Sequence, residues 1–363
     1  MIEMLRFKCS CWCLVVFGLL GVATSVRAGE DAAREGDRLL PVATLRAAGK
    51  LEMPHAVDCN TPSHWDGETF YVFNSTGHPY RSSGKSLFDL GPCEAITFDN
   101  TVDGGRWIEA TWRADDAALY GWYHHEPAGL CPGTTLTAPK IGALRSTDNG
   151  ATWKDLGIVM EARPKTLDCN AENGYFAGGH GDFSVMLDQQ KEQLYLFYGN
   201  YAGELEEQGV AVARMAWKDR DRPAGKIRKW YEDGFSEPGL GGKLTPTFTA
   251  FTAWQREDCD AFWGPSVHWN VHLKQYVMLL NRARGKGWVQ EGIYVSFSDD
   301  LADPARWSSP QKILDGGRWY PVVVGLGEGF RGTDKRAGSA ARFFMGQDSE
   351  YEILFSLPQR AAH

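Results

Sequence analysis

From Gly264 to Ala283 the chain reads Gly-Pro-Ser-Val-His-Trp-Asn-Val-His-Leu-Lys-Gln-Tyr-Val-Met-Leu-Leu-Asn-Arg-Ala. An apolar run over 265–269 leads into a polar turn over 270–274, and a run rich in β-forming residues returns over 275–280. Apolar runs of this length with a polar turn between them are typical of strands. The stretch therefore predicts a β-hairpin.

The same unit recurs along the chain. Residues 62–74 also begin Pro-Ser, reach His-Trp, turn on polar residues and run through aromatic residues to an Asn. Three looser copies lie at 109–124, 183–201 and 341–356. Recurring all-β units of this size are typical of propellers. We therefore predict an all-β fold, a five-bladed β-propeller with four-stranded antiparallel blades around a central channel; the alternative is an irregular β-sandwich.

Size and charge limit the classes of function. The chain has 363 residues, of which 43% are hydrophobic, which suits one large all-β domain. Its formal net charge is -8, and no basic block stands out. This balance argues against nucleic acid or an anionic membrane surface as a partner.

The N-terminus has the pattern of a secretory signal over residues 1–28. A cationic start precedes an apolar run over 11–22, and Val26-Arg27-Ala28 resembles a cleavage site. The apolar run is too short to span a bilayer. We predict export to the periplasm or the medium with no membrane partner after cleavage, then a linker or N-terminal arm over 29–50 and the propeller over 51–360.

Cleavage would leave an odd number of cysteines, so at least one is unpaired or bonded to another chain. The spacing leaves the pairing open, and without a Cys-x-x-Cys motif a metal cluster is not expected. The remaining cysteines are Cys59, Cys93, Cys131, Cys169 and Cys259.

One octet carries a specific motif. Ser146 to Trp153 reads Ser-Thr-Asp-Asn-Gly-Ala-Thr-Trp, which matches the Asp-box, Ser-x-Asp-x-Gly-x-Thr-Trp. Asp148 and Gly150 are predicted to close a turn between two outer strands, while Trp153 packs into the blade. A degenerate relative lies at 296–300. This motif supports a propeller and predicts no catalytic role.

Propeller geometry predicts where chemistry can occur. Residues before the first strand of each blade and after its second strand lie at one end of the central channel. Asp58, Asp182 and Asp260 stand at equivalent positions before or at the start of inner strands in blades one, three and four. Carboxylates in one pocket shift one another's pKa values, which allows one to act as acid and another as base. Glycoside hydrolysis needs that division. The alternative is that each Asp caps a turn.

With Asp58 in blade one and Asp182 in blade three, the five-bladed repeat resembles the glycoside hydrolase family 43 superfamily over about 51–356. The resemblance implies hydrolysis of furanosides or pyranosides. It also implies a general base at the blade-one Asp, an orienting role for the blade-three Asp, and a general acid at a blade-four Glu. This chain has Trp263 where the family has that Glu. The predicted acid is therefore one of Asp260, Glu126 and Glu291.

Polar and aromatic residues of the same rim are predicted to bind the sugar, since ring faces stack on its C–H groups. They are Asn74, His78, Arg81, His125, His180, Tyr201, Trp263, Asn281 and Arg282. No metal ligand set is predicted and no cofactor is required. A structural calcium in the central channel is the one ion that this interpretation allows.

These observations predict a secreted, monomeric glycoside hydrolase that cleaves oligo- or polysaccharides by an inverting two-carboxylate mechanism. A non-catalytic carbohydrate-binding propeller is the first alternative, supported by the missing blade-four Glu. A sialidase-like enzyme is the second, suggested by the Asp-box. Sialidases use six blades and three arginines, whereas the inner strands here offer mainly Arg81 and Arg282.

Overall fold

Antiparallel hairpins build the protein. The computed structural model describes residues 39–327 and 330–358, so the predicted signal segment over 1–28 lies outside the described residues. The strands of the described residues are β1 (Val42–Glu52), β2 (Ser63–Asp66), β3 (Thr69–Ser75), β4 (Pro79–Ser86), β5 (Asp89–Leu90), β6 (Glu94–Ala95), β7 (Thr97–Phe98), β8 (Gly104–Arg113), β9 (Leu119–Pro127), β10 (Lys140–Ser146), β11 (Thr152–Met160), β12 (His180–Leu187), β13 (Gln193–Asn200), β14 (Gly209–Ala216), β15 (Arg228–Tyr231), β16 (Gly234–Pro238), β17 (Phe248–Thr249), β18 (Asp260–Asn270), β19 (Gln275–Arg284), β20 (Gln290–Ser298), β21 (Gln311–Asp315), β22 (Pro321–Gly325), β23 (Arg336–Ala337), β24 (Ala340–Met345) and β25 (Asp348–Ser356).

Helical structure in the described residues is confined to four 3₁₀ turns, at Pro164–Thr166, Leu205–Glu207, Trp217–Asp219 and Pro304–Arg306. Among the described residues, no helix has the length and apolar character that crossing a bilayer requires.

The strands form five sheets, each a blade of a propeller. Their cores, from the channel outward, are β2-β3-β4-β5, β8-β9-β10-β11, β12-β13-β14-β15, β18-β19-β20-β21 and β22-β24-β25-β1. Blade two gains β7 at its outer edge, and blade three gains β16. The predicted fold class, an all-β five-bladed propeller, is confirmed.

The last blade combines both ends of the chain. β1 pairs antiparallel with β25, with Val42 opposite Ser356, so a strand from the N-terminal side closes the blade. The predicted linker therefore ends before Val42 and not at Lys50. Exposed and half-buried residues alternate along β1, which explains why it lacks the apolar pattern of an inner strand. The hairpin predicted over 341–356 supplies the second and third strands, while β22 lies innermost.

All inner strands begin at one mouth of the channel and end at the other. Trp107 and Trp263, early in β8 and β18, line one cavity. Thr111 and Trp269, late in the same strands, line another. We call these the first mouth and the opposite mouth.

Three inner strands carry a β-bulge. The register shifts around Glu109 in β8, around Asp182 in β12, and between Trp263 and Ser266 in β18. A bulge leaves one residue out of the ladder and redirects its side chain, and bulges often lie next to active sites. Two of these bulged residues are acidic.

The turn between β10 and β11 is closed by side chains. The Asp148 carboxylate accepts hydrogen bonds from the Ser146 hydroxyl at 2.7 Å, the Thr152 N–H at 3.0 Å and the Thr152 hydroxyl at 2.7 Å. Trp153 is buried within the blade. The turn holds the outer strands together and lies outside the first-mouth cavity.

One disulfide ties two loops together. Cys131 and Cys169 are bonded across 38 positions of sequence. Of the other cysteines in the described residues, Cys59 and Cys259 are buried free thiols and Cys93 is a half-buried one. The bond lies beside the loops that carry Thr135 and Tyr175, which line the first mouth.

Candidate active site

The first mouth holds a cavity of about 320 Å³. Its walls combine acidic side chains, supplied by the ends of strands, with aromatic rings. The lining residues are Asp58, Trp107, Glu126, Thr135, Thr137, Gly174, Tyr175, Phe176, Asp182, Trp263, Trp288, Trp319 and Tyr320. Three of the predicted catalytic residues, Asp58, Glu126 and Asp182, thus meet in one cavity.

Asp58 lies before β2, where its N–H donates to the carbonyl of Ser75 at 2.8 Å. This bond fixes the start of blade one against the end of β3. Burial raises the pKa of Asp58 to about 6, and the charge of Glu126 adds to the effect. A carboxyl with this pKa changes its charge near neutral pH, as acid–base catalysis requires.

Asp182 occupies the bulge of β12 with a left-handed backbone, at φ 45°. A non-glycine residue in this region is uncommon and is held there by its surroundings. Its Oδ2 accepts a hydrogen bond from the hydroxyl of Tyr201, and both side chains are buried. Burial raises the pKa of Asp182 to about 7, with the charge of Glu109 adding to it.

Glu109 and His124 connect the acidic groups of blades two and three. Glu109 is fully buried. One of its oxygens lies 3.0 Å from Nδ1 of His124, and the other accepts the N–H of Phe183 at 2.9 Å. Nε2 of His124 lies 3.2 Å from Glu126. Burial opposes a charge on His124, but Glu109 and Glu126 outweigh it and raise the pKa of the imidazole well above its usual value.

This close packing depends on a glycine. A Cβ at Gly181 would lie 2.6 Å from Cε1 of His124. Only a residue without a side chain lets the imidazole lie against β12, beside Asp182. The result is four acidic groups around one imidazolium, and neither lysine nor arginine is among the described residues that line the cavity.

Glu109, His124 and Asp182 offer ligand atoms within 4.8 Å of one another, which makes them the candidate set for an ion among the described residues. Calcium takes six to eight oxygen ligands. Here one donor is a nitrogen, and both oxygens of Glu109 already contact protein groups. The Tyr201 hydroxyl also occupies Oδ2 of Asp182. The set does not fit the structural calcium that the sequence interpretation allowed.

An aromatic wall closes the cavity. The ring centroid of Trp263 lies 5.0 Å from that of Trp288, 5.3 Å from that of Trp319 and 5.5 Å from that of Tyr320. Tyr175 lies 5.2 Å from Trp288 and is partly exposed. Rings in mutual contact lose little conformational freedom on binding and present faces to which sugar C–H groups can stack.

Two residues predicted as catalytic lie elsewhere. The Asp260 carboxylate pairs with Arg282, at 2.8 Å and 2.9 Å, and is absent from the cavity lining. Glu291 pairs with Lys312 and accepts the hydroxyl of Tyr294 at 2.7 Å. Their strands begin near the rim, but each side chain is held by a partner on its own sheet, so the expected convergence with Asp58 does not occur.

Of the predicted sugar-binding residues, some lie at the cavity and the others lie away from it. Trp263 lines the cavity, and Tyr201 lies behind it through its bond to Asp182. The others bond to protein groups away from the lining. Asn74 donates to Phe73 O, His78 contacts Ile96 O, Arg81 donates to the carbonyls of Asp148 and Asn149, His125 contacts Gly105 O, His180 contacts Lys229 Nζ, Asn281 accepts from Gln290, and Arg282 pairs with Asp260.

Sequence reasoning missed Glu109. Its signal was a lone carboxylate inside the apolar run Trp107-Ile108-Glu109-Ala110 of an inner strand. Sequence reasoning also gave no role to Trp288, which lies between β19 and β20, or to Tyr320, which directly precedes β22. Only the closure of the ring brings these aromatic residues to the cavity.

Comparison with known proteins supports the architecture. No protein-family model matches the chain, and no curated protein sequence matches it. Among solved structures, the catalytic domain of a GH62 alpha-L-arabinofuranosidase from Coprinopsis cinerea matches at 12% identity and TM-score 0.51, over 86% of this chain and 96% of that one. An endo-arabinase from Bacteroides thetaiotaomicron matches at 11% identity and TM-score 0.51, over 86% and 99%.

A third match is the alpha-L-arabinanase of Cellvibrio cellulosa, solved in complex with arabinohexaose, at 13% identity and TM-score 0.50, over 83% of this chain and 92% of that one. Identities this low show the fold. The chain is a five-bladed β-propeller of the kind on which these enzymes are built. The fold that the resemblance to the family 43 superfamily implied is confirmed.

Proposed function

We propose that the protein is a glycoside hydrolase whose active site is the first-mouth cavity. The observation that carries this proposal is the meeting of Asp58 and Asp182 in one aromatic-walled cavity, with their pKa values raised to about 6 and about 7. Two carboxyl groups whose pKa values lie near neutrality, one higher than the other, can supply the base and the acid of glycoside hydrolysis.

The order of the two pKa values supports the division of roles. Asp58 has the lower value, so it is the carboxyl that is ionised, and able to accept a proton, at a pH between the two values. Asp182 has the higher value, so it is the carboxyl that still carries a proton to donate at that pH. Glu126, the one of the three predicted acids that lines the cavity, faces the imidazole of His124 at 3.2 Å. We therefore assign the acid to Asp182, where the family resemblance implied an orienting role.

We also propose inversion at the anomeric carbon. Asp58 and Asp182 belong to blades one and three, and blade two lies between them. A base and an acid carried by different blades can act on the sugar from two sides, and inversion needs about 6.5–9.5 Å between their carboxyl groups to admit a water molecule. Since the matched structures named above include arabinan-degrading enzymes, arabinofuranosides are the first substrates to test.

Export remains part of the proposal. A disulfide such as Cys131–Cys169 forms and persists in oxidising compartments, which supports secretion or a periplasmic location. Cleavage after Ala28 would leave Gly29 as the first residue of the mature chain. Mass spectrometry of the exported protein checks this; an intact Met1 on protein recovered from the cytoplasm would contradict it.

The test of function is a substrate screen with two variants. Parent protein, Asp58→Asn and Asp182→Asn are assayed on aryl arabinofuranosides, arabino-oligosaccharides and a wider panel of aryl glycosides. We expect the parent to hydrolyse at least one of them, and each variant to lose about 10²–10⁴-fold in rate. The anomer released, followed by NMR, reports inversion or retention.

The same screen decides between the proposal and its alternatives. Saccharide binding by the parent without turnover of any compound would favour a non-catalytic binding propeller. A sialidase needs arginines around the substrate carboxylate, and none is among the described residues that line the cavity. We therefore expect no turnover of sialosides.

A further inference from the structure

The opposite mouth of the channel holds a cavity of about 520 Å³ that hydrolysis at the first mouth does not use. It is formed where the inner strands end, and Trp269 of β18 is among its lining residues. Trp263 of the same strand lines the first mouth, six residues earlier. At about 3.3 Å per residue along a strand, the two sites are about 20 Å apart.

Three indoles stand around this opening. Trp65, Trp112 and Trp269 lie at the ends of β2, β8 and β18, and all three are half-buried. The indole N–H of Trp65 donates to the carbonyl of Gly332 at 3.1 Å, and the ring of Trp269 packs on Tyr276 at 4.8 Å between centroids. Fixed rings with part of their surface open to a cavity form platforms for the apolar faces of sugars.

Two buried polar side chains belong to the wall of this cavity. His64 and Thr111 line it and are 5% and 2% exposed. Within the described residues, neither the ring nitrogens of His64 nor the hydroxyl of Thr111 has a hydrogen-bond partner of acceptable geometry, although Asn149 lies beside the imidazole. Burial lowers the pKa of His64 to about 4, so the neutral ring offers one donor and one acceptor. The polar atoms of both side chains are closed off from the cavity, so the part of the wall that a ligand meets is formed by the indoles and the charged side chains.

The charge of the lining indicates the kind of ligand. One lining residue is acidic, Asp188, whereas five are basic: Arg113, Lys191, Arg331, Lys335 and Arg336. Four of the basic residues have carboxylate partners. Arg336 is exposed, lies 4.8 Å over the ring of Phe330, and has no ion-pair partner among the described residues. A guanidinium in this position suits a carboxylate, which it can bind with two parallel hydrogen bonds.

We propose that the opposite mouth is a second, non-catalytic saccharide-binding site, which takes an oligosaccharide that carries a carboxylate, such as a chain of uronic acids. The sugar rings stack on the indoles, and the carboxylate pairs with Arg336. With a single acidic residue in its lining, the site has no pair of carboxylates for hydrolysis.

The test is calorimetric titration with trigalacturonic acid, with neutral galactotriose as the uncharged comparison. All titrations use the Asp58→Asn background, which prevents turnover at the first mouth. We expect the acidic trisaccharide to bind, and Arg336→Ala to weaken that binding by about tenfold, the usual scale for a hydrogen bond to a charged group. Arg228→Ala is the matched control, because Arg228 is an exposed arginine on β15 that bonds only to nearby carbonyls.

Three results would overturn the proposal: no binding of trigalacturonic acid, equal binding by the Arg336→Ala and Arg228→Ala proteins, or galactotriose binding as tightly as the acidic sugar. Trp263→Ala distinguishes binding at the opposite mouth from binding at the first mouth. Loss of binding in that variant would show that the ligand binds at the first mouth instead. Binding is measured without hydrolysis, so failure of the hydrolase proposal would leave this test unaffected.

Discussion

The buried carboxylate of Glu109 accepts the backbone N–H of Phe183 at 2.9 Å. This bond ties the bulge of β8 to the bulge of β12, because Glu109 is the residue out of register in one strand and Phe183 follows the residue out of register in the other. It holds Asp182 in its left-handed backbone. Glu109 is therefore a positioning residue, which acts on the candidate acid through the backbone and through its charge.

The pH dependence of hydrolysis should be bell-shaped. Activity requires Asp58 ionised and Asp182 protonated, and their pKa values are raised to about 6 and about 7. The maximum of kcat/KM should therefore lie between about pH 6 and about pH 7, with Asp58 giving the acid limb and Asp182 the alkaline limb. Stopped assays across the pH range measure it. A flat profile from pH 4 to pH 9 would show that other groups carry the chemistry.

Glu109→Gln should move one limb of that profile. The substitution keeps an oxygen for the N–H of Phe183 and removes the negative charge that helps raise the pKa of Asp182. We expect the alkaline limb to shift to lower pH by about half a unit to one unit, since a nearby like charge raises a carboxyl pKa. Glu350→Gln, at an exposed position, is the control and should leave the limb in place. If the alkaline limb does not move in Glu109→Gln, the role of Glu109 is purely structural.

Asp182→Asn should stabilise the protein at high pH. The pKa of Asp182 rises from 3.8 to about 7 in the folded state, which therefore binds more protons than the unfolded chain in that window. The stability that this carboxyl contributes falls as the pH rises through the window. At pH 8 we expect the free energy of unfolding of the variant to exceed that of the parent by about 1–3 kcal/mol, the scale of removing a buried charge.

At pH 5 the gain should be smaller, because the folded parent is still protonated at Asp182 while the unfolded chain has already ionised; it should vanish only below the unfolded pKa of 3.8. Urea unfolding at the two pH values measures the difference, with the exposed Asp103→Asn as a control for the loss of one charge. A gain that is the same at both pH values would contradict the raised pKa.

The disulfide should matter for both stability and substrate binding. Replacing Cys131 and Cys169 by Ser frees a loop of 38 positions, and the chain-entropy argument gives a loss of about 4 kcal/mol in the free energy of unfolding. Thr135 lies in that loop and Tyr175 just beyond it, so KM should rise more than kcat falls. Cys93→Ser, at a free thiol, is the matched control. Unchanged KM in the double variant would show that the cavity wall does not depend on the bond.

Some strands could be predicted from the sequence, and others could not. The hairpin of β18 and β19 could be predicted because its apolar runs are buried on both faces. β1 was not, because its alternation of exposed and half-buried residues resembles that of a linker. Propeller geometry correctly placed Asp58 and Asp182 at one mouth, since it fixes where every inner strand begins.

The same geometry cannot predict side-chain direction. Glu109 reaches the acidic cluster through a bulge, which has no marker in the sequence. Asp260 opens its strand as expected, but Arg282 on the neighbouring strand holds its carboxylate away from the cavity. The acidic cluster at the first mouth therefore depends on local register shifts and on ion-pair partners, which only coordinates reveal.

The comparison of Asp58→Asn with Asp148→Asn separates chemistry from folding. Both changes replace a carboxylate by an amide of the same shape. Asp148 closes the turn between β10 and β11: burial opposes its charge, but bonds from Thr152 and Ser146 outweigh burial and keep its pKa below the usual value. An amide loses part of this bonding, so Asp148→Asn should cost about 1–2 kcal/mol of stability at neutral pH. That cost should shrink as the pH falls through the usual Asp range, where the parent also becomes protonated.

Asp148 does not line the first mouth, so the folded fraction of Asp148→Asn should hydrolyse the best substrate at nearly the parental rate. Asp58→Asn should fold at least as well as the parent at pH 8, because burial makes the charged form of Asp58 unfavourable. It should nevertheless turn over about 10²–10⁴-fold more slowly, the usual contribution of a general base. Urea unfolding and turnover per folded molecule, measured on the same preparations, give both quantities. If Asp58→Asn keeps the parental rate while Asp148→Asn loses it, the base does not lie at the first mouth.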